Sequence, residues 1–198
     1  LIIYNLFNFK MRKIFVATAL FAMFQLTEQA TYITTCHNDQ ECGTICGSTG
    51  PDTASPTEGM FGVSCQCQNG QPPVHKCNID GIDVKVCSDN KPPKCSSSYC
   101  NKQICVKMNG KQATATVRSA CPKYHPVNAD QCCRYGGSYC TCIKQPTLDL
   151  NWKPYGELGN QNGFATSVTV GACGNGDTGI EVDSEEGREW FRKHAEEN

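Results

Sequence analysis

Apolar and polar residues alternate with period two in several short runs of this chain. Ile82, Val84 and Val86 alternate with Asp83 and Lys85, which puts the apolar side chains on one face and predicts a strand over residues 82–87. Lys91-Pro-Pro-Lys94 ends it. Residues 104–108 and 113–117 are further strand-like runs, and Asn109-Gly110 stands between them. That dipeptide predicts a tight hairpin, because both central residues of a type I′ turn need positive φ. Residues 167–170 and 179–182 supply later strands. Leu148 and Leu150 flank Asp149, so a strand there turns two leucines one way and the carboxylate the other. Asn151 is then an N-cap, and Pro154 falls in the first helical turn, where its missing N–H costs little. Tyr155 and Leu158 are spaced to pack that helix inward. Near the end, Asp183 with Glu186 predicts a capping pair, Glu189 and Lys193 pair at i, i+4, and Trp190 and Phe191 pack a terminal helix onto the domain.

Composition changes this picture in one respect. Only 9% of the 198 residues are aromatic and mean hydropathy is -0.43, so the core is thin. Sixteen cysteines take over part of its role. Thiols persist as disulfides in an oxidising compartment. The even count predicts eight bridges, with pairing undetermined by the sequence. The net charge of -1 gives no electrostatic case for nucleic acid or an anionic membrane.

The start of the chain agrees with export. Met11, Arg12 and Lys13 form a basic n-region, residues 14–26 an apolar stretch too short to span a bilayer, and Ala30 a cleavage point, with residues 1–10 expected to lie upstream of the first Met. Residues 1–30 are therefore assigned to upstream sequence and a secretory signal. Residues 31–80 form a stapled N-terminal segment with Cys36, Cys42, Cys46, Cys65, Cys67 and Cys77, in which residues 50–57 are an exposed loop. Residues 81–176 hold the strands and the remaining cysteines, Cys87, Cys95, Cys100, Cys105, Cys121, Cys132, Cys133, Cys140, Cys142 and Cys173. Residues 177–198 are an acidic tail with a short helix.

One stretch carries a resemblance. It contains Cys100-Asn-Lys102, Asn109-Gly-Lys111, the run from Thr114 to Cys121-Pro122, and Leu148-Asp-Leu-Asn151 followed by Tyr155. In that order it resembles double-psi β-barrel domains of the expansin, barwin and rare-lipoprotein-A type, and it is similar at a greater distance to kiwellins, secreted Cys-rich plant proteins. The match covers residues 100–158. It implies a mainly β fold, with a six-stranded double-psi β-barrel over residues 81–176. It also implies a groove that meets polysaccharide, flanked in hydrolytic or lytic relatives by two carboxylates. Asp149 matches the second carboxylate. The first falls at Ser119, whose hydroxyl cannot supply carboxylate chemistry. Asn101 replaces a glycine of the family pattern, and no bulky aromatic stands in residues 166–173, where the closing strand usually carries one.

The implied activity is therefore binding rather than cleavage, with no catalytic residue and Asp149 as the fallback acid. Asp149 would accept hydrogen bonds from sugar hydroxyls, and Tyr124 and Trp152 would stack on sugar rings. His125 and Ser119 would lie on the groove wall. A protein partner is the alternative: a secreted effector or protease inhibitor presenting the loop of residues 123–142 or the N-terminal segment. A weak glycan hydrolase or lytic enzyme using Asp149 alone is the third. Other chemistries lack their residues. Cys132, Cys133, Cys140 and Cys142 with His125 are read as disulfides rather than a zinc site. Ser119 has no Gly-x-Ser-x-Gly elbow, and His37, His75, His125 and His194 have no metal-ligand spacing. Residues 171–176 lack the strand-to-helix context of a phosphate loop. No cofactor or metal is expected, and the mature protein is expected to be an extracellular monomer off the membrane.

Overall fold

The computed structural model describes residues 31–36 and 42–174. The expected signal segment, the strand at 179–182 and the terminal helix lie outside the described residues, as do His37 and His194. Among the described residues, the strands form three sheets of seven, two and two strands, and no helix is long and apolar enough to cross a membrane.

The hairpin forms where the Asn-Gly signal puts it. Strands β7 (Gln103–Met108) and β8 (Lys111–Val117) pair antiparallel from Gln103↔Thr116 to Met108↔Lys111. Asn109 and Gly110 take φ of 51° and 73°, as the turn requires. Alternation then sorts their faces. Ile104, Val106, Met108, Ala113, Ala115 and Val117 are buried in one core cluster, while Cys105, on the other face, bonds Cys173.

The rest of the large sheet comes from three further places in the chain. β9 (Thr147–Leu150) lies between β1 (Tyr32–Thr35), to which it is parallel, and β2 (Thr53–Pro56), to which it is antiparallel. β2 in turn runs parallel to β8. At one end of the sheet β10 (Gly163–Phe164) pairs with β1, and at the other β11 (Ser167–Val170) pairs with β7. Those two strands are separated only by Ala165 and Thr166, whose N–H groups donate to Thr31 O at 2.9 Å and Lys107 O at 2.8 Å. One short run thus joins both ends, and the sheet is curled. Ile33, Leu148, Leu150, Leu158 and Val168 fill its concave side. Phe61 is the largest fully buried side chain, and it reaches that core from the turn after β2 with its edge toward Tyr99, centroids 6.1 Å apart.

Two expectations are corrected. Residues 50–57 are not an exposed loop: Thr53–Pro56 is β2, and all four residues are buried. A Thr-Ala-Ser-Pro run has no apolar alternation, and only its neighbours on both edges make it a strand. The boundary near residue 80 does not divide the sheet either, since β1 and β2 lie before it. Conversely, the strand expected at 82–87 is β5 (Ile82–Val86), which stands outside the large sheet and pairs with β4 (Val74–Ile79) through the Asp80-Gly81 turn. Its Val84 and Val86 pack instead with Ala129 and Cys132 of helix α1 (Pro126–Tyr135) in a second, smaller core. The other small sheet pairs β3 (Ser64–Gln66) with β6 (Lys94–Ser96). A 3-10 turn, Gly137–Cys140, leads to the short helix α2 (Thr141–Lys144), and α3 (Trp152–Glu157) follows β9.

All sixteen cysteines pair, giving eight disulfides: Cys36–Cys42, Cys46–Cys100, Cys65–Cys95, Cys67–Cys87, Cys77–Cys133, Cys105–Cys173, Cys121–Cys142 and Cys132–Cys140. This number, with the lack of a membrane-length apolar helix among the described residues, is consistent with an extracellular protein. The bridges differ in the loop they close. Cys46–Cys100 spans 54 positions and Cys132–Cys140 only 8. Chain entropy then predicts that replacing both cysteines by Ala costs about 4 kcal/mol for the first pair and about 2.5 kcal/mol for the second. Urea unfolding of the two double variants, each compared with the parent, reads that difference.

Candidate functional site

Because Leu148 and Leu150 point into the core and are fully buried, Asp149 must point out from the convex face of β9. The ladder sets its neighbours. Thr34 of β1 and Ser55 of β2 are its register partners on either side, where side chains of adjacent strands stand about 5 Å apart. Thr34, Asp149 and Ser55 form a polar row of two hydroxyls around one half-buried carboxylate. Ser55 is 2% exposed, and its Oγ has no hydrogen-bond partner among the described residues.

The Cys121–Cys142 bridge walls this row. Asp149 Oδ2 lies 3.5 Å from Cys121 Sγ. That sulfur is bonded to Cys142 and carries no proton, so the contact is packing rather than a hydrogen bond. The same three side chains cluster tightly enough for a metal ion. Zinc takes thiolates, however, and the bridge leaves neither sulfur in that form.

Ser119 does not stand open on this face. It is 3% exposed, and its Oγ donates to the carbonyl of Cys42. The adjoining Arg118 carbonyl accepts from Ile45 N at 2.9 Å and Cys46 N at 3.2 Å. Residues 42–46 therefore lie across the end of β8, and the serine holds them there. The Arg118 side chain pairs with Asp52, which also accepts from Thr116 Oγ1 at 2.7 Å. Burial works to raise the Asp52 pKa, but the Arg118 and Thr116 hydrogen bonds outweigh it and hold the carboxyl below its ordinary value.

Trp152 opens α3 and is 59% exposed. Asn151 caps the helix by accepting from Trp152 N at 2.7 Å, while its Nδ2 donates to Gly50 O at 2.9 Å. The indole thus starts from a fixed backbone, three residues beyond Asp149. Tyr124 and His125 are half-buried at the head of α1. The Tyr124 carbonyl accepts from Cys87 N at 3.4 Å. His125 is the N-cap of α1, its Nδ1 accepting from Val127 N at 3.2 Å. Burial pushes its pKa down. The histidine's role in the structure is to satisfy a helix N-terminus.

Sequence reasoning passed over Glu58. It sits half-buried just beyond β2, where burial raises its pKa against the opposing Lys123 N–H and charge. It also passed over Ser55, hidden in a run read as loop, and over Tyr135 and Tyr139, both exposed. Of the expected residues, the structure sets Asp149 and Trp152 near one another along the chain, places Tyr124 and His125 at the head of α1, and covers Ser119. Comparison with protein-family models, with curated proteins and with solved structures finds no match.

The His125 cap generates a pH prediction. Its folded pKa is depressed, so its contribution to stability is complete above the unfolded value of about 6.5 and is lost as pH falls through the folded value. His125→Asn keeps an accepting cap without the titration. That variant is expected to flatten stability between about pH 7 and pH 5, whereas His125→Ala loses about 1 kcal/mol at neutral pH. Chemical denaturation across that range measures both.

Proposed function

We propose that this is a secreted, disulfide-stapled protein that binds cell-wall polysaccharide without cleaving it, on a six-stranded double-psi β-barrel of the expansin type. What supports the barrel is the pairing pattern. Two parallel pairs, β1 with β9 and β2 with β8, are locked together by the antiparallel β2–β9 ladder. The run from Gly163 to Val170, taken as one kinked strand, would be the sixth.

The observation that carries the functional reading is the polar row around Asp149. The half-buried Asp149 carboxylate and the Thr34 hydroxyl offer an acceptor and a donor to sugar hydroxyls, with Ser55 buried beside them, and the exposed Trp152 offers a face for the apolar side of a ring. Such a site is shallow, and modest affinity per contact suits a polymer that is met repeatedly along its length.

Cleavage lacks its second group at the matched position. Glycoside hydrolysis uses an acid and usually a second carboxylate, and Ser119 is turned to Cys42. Asp52 is committed to Arg118 and Thr116. Glu58, just beyond β2, accepts from the Lys123 N–H, which holds it to the loop.

Retention on insoluble cellulose, chitin or peptidoglycan is the direct test. Trp152→Ala is expected to weaken retention roughly tenfold, the scale of losing one aromatic contact, and Asp149→Asn to weaken it less. Failure of the parent protein to bind any of these polymers defeats the proposal. Release of reducing ends from soluble glycans, abolished by Asp149→Asn or Glu58→Gln, would replace it with an enzyme.

A further inference from the structure

Between Cys132 and Cys140 the chain carries side chains that neither core uses. Helix α1 ends at Tyr135, turns through Gly136 and continues into the 3-10 turn. Tyr135 and Tyr139 are 58% and 52% exposed. Their ring centroids are 4.9 Å apart and their planes are tilted by 41°. The Arg134 guanidinium lies 5.8 Å from the centre of the Tyr135 ring, within reach of a cation–π contact.

The scaffold beneath is fixed in three ways. Cys132–Cys140 closes the loop, and Cys77–Cys133 ties α1 to β4. Gly136, with φ of 61°, is buried against the β4–β5 turn, where a Cβ would come within 2.9 Å of Asp80 Oδ2 and 3.1 Å of Ile79 Cδ1. A residue with a side chain would have to push the Asp80 and Ile79 side chains aside and adopt a strained positive φ. The ring pair is therefore ordered before any ligand arrives, so binding costs less ordering entropy.

Size and charge select the occupant. A specific protein interface, or a second copy of this chain, would bury about 800 Å² on each side. Two rings bordered by Gln131, Gly137 and Ser138 make a much smaller apolar patch, suited to a narrow ligand with apolar faces and polar edges. Asp130 on α1 is neutralised by Lys76 at 2.7 Å. Arg134 and Lys144 remain as cations, with Asp80 the opposing carboxylate. We propose that Arg134, Tyr135 and Tyr139 form a separate subsite for a polysaccharide bearing carboxylates, a polyuronate, with the tyrosines stacking on sugar rings and Arg134 pairing a carboxylate. This subsite lies on different elements from the Asp149 row and does not rest on that reading.

Affinity electrophoresis of the full disulfide-bonded protein through gels containing polygalacturonate tests it. The parent is expected to be retarded at low salt, and the retardation to vanish near 1 M salt, where the Debye length is about 3 Å. Tyr135→Ala with Tyr139→Ala should weaken binding roughly tenfold, and Arg134→Gln should weaken it while leaving the melting temperature unchanged. Retardation is read for each variant against a gel without polymer, and Lys94→Gln, an exposed cation on the separate β3–β6 sheet, should keep the parent's retardation. An unretarded parent overturns the proposal, as does retardation that survives the double tyrosine variant. Capture by an acidic protein but not by polygalacturonate would assign the patch to a protein partner instead.

Discussion

Strand β9 is only four residues long, yet it hydrogen-bonds along both edges. Buried peptide groups must find partners, and Thr147–Leu150 finds them on β1 and β2, which lie about a hundred residues earlier in the chain. That double pairing constrains nearly everything else. It draws the N-terminal segment into the sheet, fixes which way Leu148 and Leu150 face, and leaves Asp149 facing outward between Thr34 and Ser55. A shift of one residue in register would bury the carboxylate and expose both leucines.

The apolar core is too small to hold such a long-range arrangement alone. It is built mainly from aliphatic residues of the sheet, with Phe61 and Tyr99 as its buried aromatic members and Tyr155 packed against it. The disulfides act where that core is thin. Cys46–Cys100 and Cys105–Cys173 hold strands or loops to the sheet over separations of 54 and 68 residues. Cys77–Cys133 and Cys132–Cys140 organise the second core around α1. The same crosslinks pre-order the surfaces proposed for binding: Cys121–Cys142 walls the Asp149 row, and Cys132–Cys140 sets the tyrosine pair. In this molecule the elements that stabilise the fold also fix the geometry of its exposed polar and aromatic groups.

Polar and aromatic residues in this protein divide between those that hold the fold and those that stay exposed. Ser119, His125 and Asn151 look alike in sequence as candidate groove residues or caps, but each has a defined backbone partner: Cys42 O, Val127 N, and both Trp152 N and Gly50 O. Asp52 is bound by Arg118 and Thr116. Trp152, Tyr135 and Tyr139 remain more than half exposed on fixed supports. Exposed aromatic surface costs solubility unless a partner covers it at some stage, and here it stands on disulfide-held or capped backbone.

The sequence by itself determined the local features. The Asn109-Gly110 hairpin, the Asn151 cap, the inward leucines around Asp149 and complete pairing of the cysteines all follow from nearest-neighbour chemistry: turn dihedrals, helix-end donors, side-chain alternation and an even thiol count. Tertiary structure alone decided what depends on partners distant in sequence. Residues 53–56 read as loop because Thr, Ser and Pro give no apolar period, and they become a central strand because β8 and β9 supply both edges. Ile82–Val86 reads correctly as a strand, but its alternation cannot tell which core will accept Val84 and Val86. Ser119 and Asp149 are equally visible as letters. Only the fold covers one with residues 42–46 and leaves the other between two hydroxyls, because burial is set by which segments cross a position in space.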